Sequence, residues 1–181
     1  MGSVSDWHAE GLPAWRVVAR RHARPRPCPP LNLHGRLNRH IVKQTIQEAL
    51  GGISGSLPIS FVDYSGMVVF QTADYFGNKL LGLRRRGNEQ HVDVGHAAYV
   101  GWIADTLRNP IEVWDRRDKP TDPELKRHYY SAYTDATGAV LNYMAVAVAA
   151  NGTFITAFQK ASSVAIDARR DGIPLYRSYP K

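Results

Sequence analysis

A single cysteine, Cys28, is the whole thiol complement of this 181-residue chain. No internal disulfide can form, and a cysteine-based metal site is disfavoured. Such usage fits folding in a reducing compartment. Long apolar runs are also missing. The longest, Met144–Ala150, falls far short of a membrane span and reads as a buried strand, so no membrane association is expected. The N-terminus lacks the apolar core of a secretory signal. Gly51-Gly52 lacks the Lys-Ser/Thr of a phosphate-binding loop, and Ser162-Ser163 lacks the Gly-x-Ser-x-Gly setting of a hydrolase nucleophile. No internal repeat is visible.

What is present supports a folded, basic domain. Hydrophobic residues make up 44% of the chain, enough for a core and unlike a disordered protein. Trp7, Trp15, Trp102 and Trp114 are expected in that core. The formal charge is +7 and the sequence pI about 9.7, which favours an anionic partner, nucleic acid foremost. The charge is uneven. Residues 1–50 carry a net +5, from Arg16, Arg20, Arg21, Arg24, Arg26, Arg36, Arg39 and Lys43 against three acids, and the rest only +2. Residues 1–36 therefore read as a basic, Pro-rich arm, and a solvated linker and a phosphate-contacting segment are equal readings of it. Cys28 sits in Arg24–Pro30, which has too many prolines for helix and should be extended.

The pattern beyond the arm is α+β. A short helix is predicted at Ala14–Arg21 and another at Arg39–Leu50, stopped by Gly51-Gly52. Residues 37–55 then form a helix and a Gly-rich boundary before a domain spanning 56–181. Ile59–Asp63, Met67–Thr72 and Lys79–Arg86 read as strands. Ala97–Leu107 reads as an amphipathic helix ended by Asn109-Pro110. Ile111–Trp114 is a short strand and Asp115–Pro123 a loop. His128–Thr134, Ala139–Ala149 and Thr153–Phe158 form a meander, with a hairpin turn at Asn151-Gly152. Ser162–Arg170 is helix or loop, and Leu175–Tyr179 a final edge strand.

Histidines carry the first chemical signal. His91 and His96 lie five apart, after the basic cluster Arg84-Arg85-Arg86 and at the entrance of a predicted helix, where backbone donors favour an anion. A helical zinc pair would be three or four apart, and no third ligand clusters with them, so a metal site is not expected. A half-buried histidine at a loop–helix junction is the plainer alternative. Histidine titrates near neutrality and moves protons without a cofactor.

Metal-independent RNA cleavage needs a base for the ribose 2′-OH, cations for the transition state and an acid for the leaving 5′-oxygen. His91, His96, Arg84, Arg85, Arg86, Lys126, Arg127, Tyr129, Tyr130 and Thr156 supply those residue types. Thr156 lies between Phe154 and Phe158. It is either part of a plain core strand or a hydroxyl on an open sheet face beside the histidines.

The order His-x4-His, amphipathic helix, Asn109–Trp114, tyrosine-rich strand, Asn-Gly hairpin and Phe154–Phe158 resembles the phage-type nucleases of the barnase–EndoU–colicin–RelE (BECR) superfamily. Ile111 stands where an acid is usual in that motif, with Glu112 next, and Phe158 replaces a tyrosine. The resemblance covers Ser56–Lys181. It implies N-terminal helices packed on a curved antiparallel sheet of four to six strands. It also implies a metal-independent endoribonuclease, used as a toxin or phage effector, that cleaves by 2′-OH transesterification without a cofactor. His91, His96, Thr156 and Tyr130 become the catalytic candidates, and Arg84, Arg85, Arg86, Lys126 and Arg127 the substrate-binding ones. RNA, with tRNA one candidate, is the implied substrate, and an acidic immunity or antitoxin protein the implied partner. The implied setting is a cytoplasm, the cell's own or a target's, or a virion. The competing reading is a non-enzymatic virion or assembly protein that binds nucleic acid or phage structural proteins through its arm. An ADP-ribosyltransferase would need a catalytic glutamate, and Glu112 and Glu124 lack its motif context.

Overall fold

The computed structural model describes residues 5–32, 44–45, 48–50, 58–72, 75, 84–86, 89–91, 98–160 and 162–180. Its strands are β1 (Ser5–Asp6), β2 (Arg24–Pro25), β3 (Pro58–Val62), β4 (Val68–Thr72), β5 (Arg84–Arg86), β6 (Glu89–His91), β7 (Glu112–Arg116), β8 (Lys126–Thr134), β9 (Val140–Ala149), β10 (Phe154–Lys160) and β11 (Asp171–Arg177). Among the described residues they are joined by α1 (Trp15–His22), α2 (Ile103–Arg108), entered through a 3-10 turn at Val100–Trp102, and α3 (Ser163–Asp167). The predicted helix at Arg39–Leu50 and the break at Gly51–Ser56 lie mostly or wholly outside the described residues. No helix among the described residues is long and apolar enough to cross a membrane.

Six strands form an antiparallel sheet in the order β1-β11-β7-β8-β9-β10. This is the α+β architecture the sequence implied. The short β2 adds a parallel pairing to β8 at Tyr133 and Thr134, beyond the stretch that β7 occupies. Two separate hairpins, β3–β4 and β5–β6, complete the strands.

Side chains alternate across the sheet, so each strand feeds two cores. On one face Val113, Tyr129, Val146, Val148, Phe154 and Ala157 pack against Ile103 and Leu107 of α2 and Ile59, Phe61 and Val69 of the β3–β4 hairpin. On the other, Trp114, Tyr130, Ala132 and Ala145 meet Trp15, Val18 and Ala19 of α1 and Ile166 of α3. Trp15, Trp102 and Trp114 are fully buried, as expected for core residues. The Asn151-Gly152 turn forms as predicted. Gly152 has φ +87°, and a Cβ there would come within 2.3 Å of the Val68 carbonyl oxygen, so only glycine lets β4 approach the β9–β10 turn.

Three local expectations change. The Pro-rich arm is not free. Arg24 and Pro25 extend the sheet, the Cys28 carbonyl accepts a hydrogen bond from Trp102 Nε1 at 2.8 Å, and Leu31 N donates to the Ala98 carbonyl. Trp102 and Tyr133 offer an apolar wall that holds the extended segment, with half-buried Cys28 packed on it. The final strand starts earlier than predicted, at Asp171, and β1 pairs with its outer side only at Asp171 and Gly172. The helix predicted from Ala97 begins only at Ile103, after the glycine-containing 3-10 turn.

Candidate active site

The Asn109–Trp114 motif builds a structural centre. The Glu112 carboxylate is fully buried, and so is the Arg170 guanidinium, whose Nε donates to Glu112 Oε2 at 2.8 Å and Nη2 to Oε1 at 2.6 Å. Trp114 Nε1 donates to Oε2 at 2.8 Å, and the Tyr179 hydroxyl donates to Oε1. Arg170 also reaches Asp167 at 2.7 Å and lies over the rings of Trp7 and Trp15. Every lone pair is occupied and water is excluded, so Glu112 holds the fold and is closed to a substrate.

The second polar group lies further along the same face. Pairing across the ladder puts Trp114, His128, Ala147 and Thr156 in one row, with Arg116, Lys126 and Ala149 in the next. Partners directly opposite share a face, so Lys126, His128, Tyr130 and Thr156 all project to the α1–α3 side. The sequence did not single out His128, because it falls in a strand that reads as core. Its place at i+2 from Lys126 and i−2 from Tyr130 is the signal that could have found it.

His128 is 1% exposed, and neither of its ring nitrogens has a hydrogen-bond partner among the described residues. Its Nε2 lies 3.4 Å from Asp118 Oδ1, at ion-pair distance but without hydrogen-bond geometry. Asp118 sits on the exposed β7–β8 loop and is gripped by Lys126 at 2.8 Å and by Arg116 at 3.3 Å. Arg116 in turn donates to Asp171 at 2.5 Å. Burial would raise the Asp118 pKa, but the hydrogen bond from Lys126 and the charges of His128, Lys126 and Arg116 bring it below the usual carboxylate value. Burial, and after it the charge of Arg116, push the His128 pKa down to about 4, against the opposing pull of Asp118. The imidazole is therefore neutral at neutral pH and able to accept a proton.

That shift fixes a pH dependence of stability. Between pH 6.5 and about pH 4 the unfolded chain binds a proton that folded His128 refuses. Stability is thus greatest above this window and falls as the pH drops through it, by on the order of 3 kcal/mol from this group. Urea midpoints measured across the window should fall more steeply for the wild type than for His128→Leu. Parallel curves would show that His128 is not the group responsible.

The remaining predicted residues are distributed differently. Tyr130 is fully buried, and its hydroxyl donates to the Arg169 carbonyl at 2.7 Å. Burial pushes its pKa well up, so it acts as a neutral donor to the backbone in this structure. Thr156 is half-buried, on a face covered by helices rather than an open one. Arg127 points to the opposite face from Lys126, where it meets Asp115 at 3.3 Å. Asp63 on that face accepts from the Tyr129 hydroxyl at 2.8 Å. Arg84, Arg85 and Arg86 form one arm of the β5–β6 hairpin, and the ladder sets His91 directly across from Arg84. His96 lies outside the described residues. The structure thus brings Lys126, Tyr130 and Thr156 to one face and separates Arg127 from them.

No curated protein and no solved structure matches the chain. A family model does, described as phage-Barnase-EndoU-ColicinE5/D-RelE like nuclease 2, over residues 40–177. With three quarters of its length inside that match and an antiparallel sheet of the expected kind behind it, the chain belongs to this family of BECR-type phage nucleases.

Proposed function

We propose that this chain is a metal-independent endoribonuclease, acting as a toxin or phage effector, with His128 at its centre. One observation carries the assignment. A buried, neutral histidine with two unpartnered nitrogens stands beside Arg116 and Lys126 in a nuclease family member. An orphaned buried polar side chain costs free energy, and unlike the buried indole of Trp15 this one can take up and release a proton.

In this scheme the substrate phosphate competes with Asp118 for Lys126 and Arg116. The β7–β8 loop then moves aside and exposes the imidazole. Neutral His128 takes the proton from the ribose 2′-OH, and the oxygen attacks the adjacent phosphorus. Arg116 and Lys126 neutralise the charge that builds on the phosphoryl oxygens, and Thr156 donates a hydrogen bond to them. The P–O5′ bond breaks, leaving a 2′,3′-cyclic phosphate on one product. His91 or His96 supplies the proton to the departing 5′-oxygen, with Arg84, Arg85 or Arg86 on a neighbouring phosphate. An acidic immunity or antitoxin protein would block the site by offering carboxylates to the same cations.

Incubation with total RNA in EDTA tests the reading. The wild type should produce cyclic-phosphate ends, and His91→Ala with His96→Ala should lose the activity. Intact RNA in every wild-type reaction would overturn the assignment. Equal cleavage by the double variant would remove His91 and His96 from the mechanism.

A further inference from the structure

A second basic feature stands apart from His128. An open pocket of about 420 Å³ lies between α1 and the β8–β9 turn, lined by Arg16, Arg20, Gly138, Ala139, Val140 and Tyr143. Arg16 and Arg20 are exposed, one helical turn apart on the same side of α1, and neither has an ion pair or hydrogen bond among the described residues. Two like charges at this spacing repel, and no carboxylate among the described residues pairs with either. The nearest carboxylate on the turn, Asp135, is already engaged by Thr137 N at 2.8 Å, Thr137 Oγ1 at 2.6 Å and Ala139 N at 3.1 Å. Tyr143 is half-buried, and its ring is fixed edge-on against Trp15 at 6.2 Å.

The geometry points to a binding site for single-stranded RNA in this pocket, with backbone phosphates on Arg16 and Arg20 and a base or ribose on the face of Tyr143. Two unpaired guanidiniums beside a rigid aromatic ring are the elements that hold a single strand without reading its sequence. The location fits a strand that continues to the catalytic row. Tyr143 and Ala147 lie on the same sheet face, roughly 13 Å apart along β9 at the usual rise per residue, and Ala147 is level with His128 and Thr156. The pocket would then set which stretch of RNA is presented, at a distance from the reacting phosphate. The inference rests on the ribonuclease reading for the identity of its ligand, but not for its test.

The probe is a short fluorescent 2′-O-methyl oligouridylate, which has no reactive 2′-OH and cannot be cleaved by transesterification. Anisotropy with the full chain across a salt series should show that Arg16→Glu with Arg20→Glu weakens binding tenfold or more. The slope of log affinity against log salt should fall by about 1.4, the loss expected for two phosphate contacts on a single strand. Tyr143→Leu should weaken binding about fivefold or more with the slope unchanged, since stacking releases no counterions. Equal affinity and slope for wild type and the double arginine variant would overturn the site. Competition by poly-glutamate as effective as by the oligonucleotide would also overturn it, in favour of an acidic protein ligand. Intact natural RNA together with arginine-dependent probe binding would sink the nuclease reading and leave this one standing. Cleavage without arginine-dependent binding would do the reverse.

Discussion

His128→Ala is expected to slow RNA cleavage by about 10²–10⁴-fold, the usual worth of a positioned general base. The same change should cost little stability. It removes an imidazole whose two nitrogens have no partner, which offsets the cavity it leaves. A structural role would give the opposite pattern, a lower urea midpoint with an unchanged rate per folded molecule. The pH profile adds a second readout. With the free-enzyme pKa pushed down to about 4, the acid limb of kcat/KM should lie near there rather than at the 6.5 of an ordinary histidine. His128→Ala should abolish that limb. A limb near 6.5 in the wild type would assign the base to a different histidine.

Arg170→Met is expected to have the largest effect on stability, a loss of about 3–5 kcal/mol read from denaturation midpoints. It strands the Glu112 carboxylate in a fully buried site with only neutral donors, Trp114 Nε1 and the Tyr179 hydroxyl. The methionine fills much of the volume, so the loss reports the charge rather than a cavity. Adding Glu112→Gln should recover part of the loss, because an uncharged amide no longer needs a cation. A double variant as unstable as the sum of the single ones would show that the two groups do not act as a pair.

The strand order of the main sheet was legible wherever one short signal decided it. Asn151-Gly152 fixed the β9–β10 hairpin, but the alternation that set Phe154 and Thr156 on one face failed, because an irregularity between them turns the two side chains to opposite faces. Trp15, Trp102 and Trp114 read correctly as core, while Trp7 is only half-buried against it. The site was less legible because it depends on strand phase. Lys126 and Arg127 look like one basic pair in the sequence, yet adjacent strand residues must point to opposite faces, and the structure separates them. His128 looked like a core residue because it is one. Its significance comes from Arg116, Asp118 and Ala147, which reach it from neighbouring strands and a loop. The Glu112–Arg170 pair spans 58 positions, and no local pattern predicts such a partner. The arm misled for a related reason. Proline enforces an extended chain, but composition does not say whether an extended chain finds a wall to lie on.

The clasp around Arg170 also governs how the molecule comes into being. Trp7 N bonds to the Arg170 carbonyl, Trp15 N to Asp167, and Ser5 and Asp6 pair with Gly172 and Asp171, so the first and last segments are stitched together across more than 150 residues. A chain leaving the ribosome makes α1 early and must then wait for α3 and β11 before that helix has a seat. Contacts of such sequence separation form slowly and late. The sheet face that carries His128 is therefore covered by α1 only after synthesis has passed the residues that close the loop. A chain that stops before β11 lacks the strand on which β1 and β7 pair, so the two ends of this clasp close only after both have been made.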